Sequence, residues 1–155
     1  MKYILFPLTL FLFACFVEHK AKYELPLTWP KNFSIKVYEG GGMNNESNNI
    51  SFSKNSCQYI LMKEGVKNSK NFKLSDKQLN EVLAKLISFN VDKIQSQKSD
   101  EIIHDKETKS ICFYTGLNQD RCIETGATML ILPKHSINFN NSFNYLLALA
   151  EEKSK

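Results

Sequence analysis

From Phe33 to Glu39 apolar and polar residues alternate, with Phe33, Ile35 and Val37 on one side of the chain, which is the period of a half-buried strand. Gly40-Gly41-Gly42-Met43 and the polar run Asn44 to Asn49 break that strand. Ile50–Ser53 and Cys57–Lys63 predict two more strands, joined by a turn at Lys54-Asn55-Ser56. Gly65 to Ser69 predicts a further turn before a strand at Asn71–Leu74. Ser75-Asp76-Lys77-Gln78 has the form of a capping box, and Leu79, Val82, Leu83, Leu86 and Ile87 follow at helical spacing. A helix over about 76–89 results, with Asn90 as its stop. Beyond it the pattern predicts a short strand at Val91–Ile94, a polar loop from Gln95 to Asp100, and strands at Ile102–Ile103, Ser110–Tyr114 and Arg121–Thr125. Met129–Leu132 is a last apolar run closed by Pro133. Ser142 is placed to cap a terminal helix over about 142–152, with Phe143, Leu146, Leu147 and Ala150 as its apolar stripe. Strands, helix, strands, helix make an α+β fold: a mostly antiparallel sheet of five to seven short strands, with both helices packed on one face.

Ahead of this domain, Tyr3 to Ala14 is an uncharged apolar run behind a single Lys2, and Glu18, His19, Lys20 and Lys22 then turn the chain polar. A membrane-spanning helix needs about 20 apolar residues. This run is shorter and is interrupted by Pro7, so it fits the hydrophobic part of an export signal. Leu12-Phe13-Ala14-Cys15 resembles the lipobox of bacterial lipoproteins, in which Leu and a small residue precede a Cys whose thiol takes a diacylglycerol. Phe13 departs from the small or β-branched residue usual at its position. The resemblance implies a signal peptide at 1–14, lipidation of Cys15, a tether over 15–32 and one globular domain over 33–155. Phe16, where some bacteria use Asp to retain lipoproteins at the inner membrane, leans the expectation toward the outer membrane. Secretion from a eukaryote is the competing reading; its four sequons, at Asn32, Asn45, Asn49 and Asn140, arise readily in a chain so rich in Asn and Ser.

With 155 residues the chain has room for one domain, and 11 Phe with 6 Tyr supply its core. The net charge is +4, falling to +3 once Lys2 is removed with the signal and the new amine is blocked. Arg121 is the only arginine and the lysines are scattered. Nucleic-acid readers depend on Arg forks and clustered cations, so no nucleic-acid partner is expected.

Setting Cys15 aside leaves Cys57, Cys112 and Cys122. A three-residue loop at Gly116-Leu117-Asn118 places Cys112 and Cys122 opposite each other on paired strands, which favours that disulfide over one made by Cys57. The spacings supply no four-ligand zinc set, and neither metal nor cofactor is expected. His104-Asp105 is the nearest approach to a hydrolytic motif, but such sites need several further ligands or an orienting partner. Asp100, Glu101, Asp105 and Glu107 lack the ligand ladder of a Ca²⁺ loop. Glu39-Gly40-Gly41-Gly42-Met43 lacks the Gly-Lys-Ser/Thr of a phosphate loop. Its glycines serve flexibility or the close approach of another backbone, and Gly40, Gly41, Gly42 and Met43 form a candidate partner-binding loop. No catalytic residue is assigned.

The strand leading to Gly41-Gly42-Met43, the Ser56-Cys57-x-Tyr59 strand, the Phe72-x-Leu74-Ser75 helix entry and Ile103-x-Asp105, with the Leu12–Cys15 signal, together resemble a type of small, uncharacterised bacterial lipoprotein. That resemblance implies an exported, membrane-anchored domain facing the periplasm or cell surface. The leading expectation is a non-enzymatic domain that binds a protein or envelope component through Gly40–Asn49 and Gln95–Lys109. An inhibitor or immunity protein against a toxin or hydrolase is the alternative, and a hydrolase centred on His104 and Asp105 a third reading.

Overall fold

The computed structural model describes residues 23–155. Six strands form one antiparallel sheet: β1 (Phe33–Gly40), β2 (Ser47–Ser53), β3 (Cys57–Lys63), β4 (Val66–Phe72), β6 (Thr108–Thr115) and β7 (Asn118–Thr125). Their spatial order is β4-β3-β2-β1-β6-β7. β5 (Ser96–Lys98) and β8 (Met129–Ile131) form a separate two-stranded ribbon beside β7. The two helices are α1 (Asp76–Ser88) and α2 (Ser136–Lys153). This is the expected α+β architecture, with both helices joined to the sheet through one apolar core.

Strand alternation builds that core. Phe33, Ile35 and Val37 of β1 point to the helices, as do Ile50 and Phe52 of β2 and Ile111 and Phe113 of β6. The register aligns them, pairing Ile35 with Phe52 and Phe113, and Val37 with Ile50 and Ile111. α1 contributes Leu79, Val82, Leu83 and Leu86, and α2 contributes Phe139, Phe143, Leu146 and Ala150. The capping box forms: Ser75 Oγ accepts from the Gln78 amide at 3.3 Å, while Gln78 Oε1 accepts from the Ser75 amide at 2.9 Å. The other face of the sheet is open to solvent.

Several boundaries differ from the sequence expectation. The turn after β3 is only Glu64-Gly65, both at positive φ (50° and 79°), so β4 starts at Val66 and absorbs the residues expected to turn. Val91–Ile94 is not a strand. It is a 3-10 turn over Val91–Lys93, in which Val91 and Ile94, three apart, are both buried. Ile102–Ile103 is exposed loop, whereas Ser96–Lys98, expected as loop, pairs with β8. α2 begins at Ser136 instead of near 142, after a 3-10 turn at Pro133–His135. Ser142 is therefore not its cap. It is buried mid-helix, its hydroxyl donating to the Asn138 carbonyl at 2.8 Å.

The residues before β1 also pack. Leu25 and Trp29 are buried in the core, Trp29 Nε1 donates to the Phe33 carbonyl at 3.1 Å, and the Trp29 amide donates to Asn80 Oδ1 on α1 at 2.7 Å. Part of the segment expected as tether thus lies on the domain.

Candidate functional site

β1 ends and β6 begins at the same end of the sheet, since Gly40 pairs with Thr108. Both expected contact loops leave from there. Gly40 must be glycine for space: a Cβ would lie 2.5 Å from Ser47 Cβ and 2.7 Å from the Tyr38 hydroxyl. Gly41 and Gly42 follow at positive φ (83° and 71°), then a 3-10 turn over Gly42–Asn44 and Asn45 at φ 48°. A Cβ on Gly42 would stand 3.1 Å from the backbone oxygen of Asp105. The glycine run thus seats one loop against the other.

The second loop is held from beneath. The Ser99 amide donates to the Thr128 carbonyl and the Ile103 amide to the Ala127 carbonyl, both at 2.9 Å. Asp105 takes φ 58° as the chain turns back toward β6. Across the joined loops three apolar side chains face solvent: Met43 is 79% exposed, Ile102 65% and Ile103 39%. The carboxylates Asp100, Glu101, Asp105 and Glu107, on the same loop as Ile102 and Ile103, are exposed as well.

A polar network braces the base of this surface. Lys109 Nζ is 2.7 Å from Glu39 Oε1 and 3.3 Å from Glu107 Oε2. Asn48 Nδ2 donates to Glu39 Oε2 at 2.8 Å, and the Tyr59 hydroxyl donates to Asn48 Oδ1 at 2.9 Å. Lys109 Nζ also lies 5.2 Å from the centre of the Phe143 ring. Burial by itself lowers the pKa of Lys109, but the hydrogen bond and charge of Glu39, joined by Glu107, outweigh it and hold the ammonium above its ordinary value. Burial raises the Tyr59 phenol, and the carboxylates of Glu151 and Glu39 add to the shift. The network was missed because lysine and glutamate read as surface residues. The signal was in the alternation: Glu39 is in phase with Phe33, Ile35 and Val37, so it had to point inward.

Cys112 and Cys122 form the expected disulfide, with their Cα atoms 4.0 Å apart. The route differs from the expected one. The loop has two residues, Gly116-Leu117, and Thr115 pairs with Asn118. A bulge at Asp120 then restores the offset, so that Phe113 meets Arg121 and Cys112 meets Cys122. Cys57 has no disulfide partner among the described residues and is buried, and burial raises the pKa of its thiol. Cys15 lies outside the described residues.

His104 and Asp105 sit on the exposed loop with both side chains in solvent. Among the described residues, no group of three or more His, Cys, Asp or Glu side chains is gathered as a metal site would require. No described helix is long and apolar enough to cross a membrane. The open sheet face carries a shallow concavity of about 450 Å³ lined by Lys36, Tyr38, Ser51, Gln58 and Tyr114 among others, with the Lys36 ammonium 4.6 Å from the centre of the Tyr114 ring. It holds hydroxyls and amides but no nucleophile paired with a base.

No protein-family model matches the chain, and no curated protein is detectably similar to it in sequence.

Proposed function

We propose that the chain is a membrane-anchored bacterial lipoprotein, held by a lipid on Cys15, whose domain works by binding a protein or another envelope component. The Leu12-Phe13-Ala14-Cys15 signal supports the anchor, with the outer membrane favoured and the domain facing the periplasm or cell surface. The observation that carries the binding role is the junction of the two loops at Gly42 and Asp105, which presents Met43, Ile102 and Ile103 to solvent on a braced frame. Exposed apolar side chains on loops that also carry charge and are fixed by backbone contacts have the make-up of an interface centre. An inhibitor or immunity role is the same surface turned on a toxin or hydrolase, and its fixed, protruding loops favour that form of binding. A hydrolase centred on His104 and Asp105 draws no support from two solvent-facing side chains on a loop.

The test compares capture from envelope extract by the wild-type domain and by a Met43→Ala, Ile102→Ala, Ile103→Ala variant. The triple variant should lose the captured partner at an unchanged melting temperature, because none of the three side chains is in the core. Equal capture by both would remove the loops from the role. Intact mass of the exported chain should show cleavage before Cys15 with diacylglycerol attached; a plain thiol there would remove the anchor.

A further inference from the structure

The two ends of the sheet differ in chemistry. At the end where β1 begins, β6 and β7 meet in the Gly116-Leu117 turn, and the Gly116 amide donates to the Asn32 carbonyl at 2.7 Å. Leu117, at the tip, is 101% exposed. Leu27, two residues before the Trp29 that bonds to Phe33, is 84% exposed. Neither leucine serves the core, and both belong to the segment and hairpin that meet at Asn32. The chain continues from here toward its N-terminus: Tyr23 lies against Phe113 (5.7 Å between rings), two residues before Thr115 of the same hairpin. Twenty-two residues precede Tyr23, with the apolar run and Cys15 among them.

Charge divides the same way. Lys31, Lys54, Lys73 and Lys77 are exposed around this entry end, where the β2–β3 turn and the start of α1 also lie. Lys54 is neutralised by Asp76 at 2.8 Å, and Asp120, exposed on the Leu117 hairpin, accepts from the Thr115 hydroxyl; no acidic partner lies within ion-pair distance of the other three lysines among the described residues. The far end, with the loops 40–45 and 99–107, carries the carboxylates Glu46, Glu64, Asp100, Glu101, Asp105 and Glu107, of which Glu46 pairs with Lys63 and Glu107 with Lys109, and Lys106 lies on the second loop.

We propose that the entry end rests on a bilayer surface with anionic headgroups, Leu27 and Leu117 entering the interface and the three unpaired lysines facing the headgroups. The joined loops then point away from the membrane. Protruding leucines beside lysines are the combination an anionic lipid interface takes up, and the chain enters from that side. The proposal rests on the anchored reading above, since an interface this small holds an orientation only for a domain already tethered.

Leu117→Trp and Ile102→Trp, each in the full exported chain with native Trp29 as a common buried background, separate the possibilities. The proteins are reconstituted into vesicles of phosphatidylethanolamine and phosphatidylglycerol carrying brominated acyl chains. Leu117→Trp should shift to the blue and lose most of its added emission to bromine, while Ile102→Trp keeps its own and stays open to aqueous iodide. Protein that floats with the vesicles yet shows no preferential quenching of Leu117→Trp overturns the orientation and leaves the anchor standing. Leu117→Trp shielded from iodide but not reached by bromine also overturns it, because that end is then covered by protein. Wild-type chain that does not float with the vesicles removes the anchor and the orientation together.

Discussion

Tyr23 and Arg121 illustrate how single side chains tie distant segments together. The Arg121 guanidinium donates to the carbonyls of Asp92 and Ile94, joining β7 to the 3-10 turn after α1, and lies 5.6 Å from the centre of the Tyr23 ring. A planar fork suits two carbonyls at once, and a lysine ammonium does not reproduce it. Arg121→Lys should cost about 2–3 kcal/mol, the worth of charge-assisted bonds to groups left without partners, measurable as a lower urea midpoint at constant slope. Tyr23 is the opposite case. Its hydroxyl is buried with no hydrogen-bond partner among the described residues. Burial, aided by Asp120, pushes its pKa from 10.0 up to about 12 against the opposing charge of Arg121. A phenol whose pKa is raised by folding stabilises fully below pH 10, and that contribution is lost as the pH climbs toward 12. Tyr23→Phe should therefore gain about 1 kcal/mol at neutral pH by removing an unsatisfied hydroxyl. It should also flatten the alkaline fall in stability between pH 10 and 12, read from denaturation midpoints across a pH series.

Among the elements, the β6–β7 hairpin binds its own geometry to the disulfide. Asp120 is a surplus residue: it shifts the register by one and lets Cys112 meet Cys122 across a two-residue turn. Deleting Asp120 removes the bulge while keeping both the turn and the Cys112–Cys122 pairing. The deletion variant should still form the bridge, seen as a two-proton mass gain on reduction. Replacing both cysteines with serine should cost about 2–3 kcal/mol, as expected for so short a closed loop. The same hairpin shows what the sequence made legible. Equal spacing about Leu117 pointed to the cysteine pairing, although the two-residue turn is off that centre and the bulge at Asp120 makes up the difference. Periodicity revealed β1 and α1, because those elements have one clearly apolar face. β5 was hidden: Ser96-Gln97-Lys98 has no strand pattern and is extended only because β8 offers a ladder. The first turns of α2 were hidden by Asn138, Asn140 and Asn141, weak helix formers, although Phe139 was already in phase with Phe143, Leu146 and Ala150. The loop pair at Gly42 and Asp105 was half visible. Both loops stood out as exposed, but their meeting depends on the β1–β6 ladder, which joins segments on either side of α1.

At the scale of the whole molecule, the two proposed contacts, with membrane and with partner, fall at opposite ends of one sheet. Unpaired lysines and two exposed leucines lie at the end where β1 begins, and the loops bearing Met43, Ile102 and Ile103, with the larger share of carboxylates, lie at the other. The sheet itself is the spacer. The helices cover the middle of one face, leaving Asn68 and Lys70 of β4 exposed, and the open face carries polar side chains together with Ile60 and Met62. A domain built this way can be altered at its far loops without disturbing its core, because Met43, Ile102 and Ile103 contribute nothing to it.

The ladder between β1 and β6 carries a last consequence, for the order of events during synthesis. β1 emerges first but lies inside the sheet, and its neighbour β6 comes only after β2, β3, β4, α1 and β5. Local hairpins can form early, yet closing that distant pair is slow and costs chain entropy. A chain ending at Ile94 keeps β1 to β4 and α1 but leaves the inner edge of β1 unpaired, with Ile35 and Val37 uncovered by Ile111 and Phe113. Such a truncation should elute from size-exclusion chromatography as larger species than the full chain does, relative to its own mass. The arrangement delays closure of the sheet until the C-terminal hairpin has arrived.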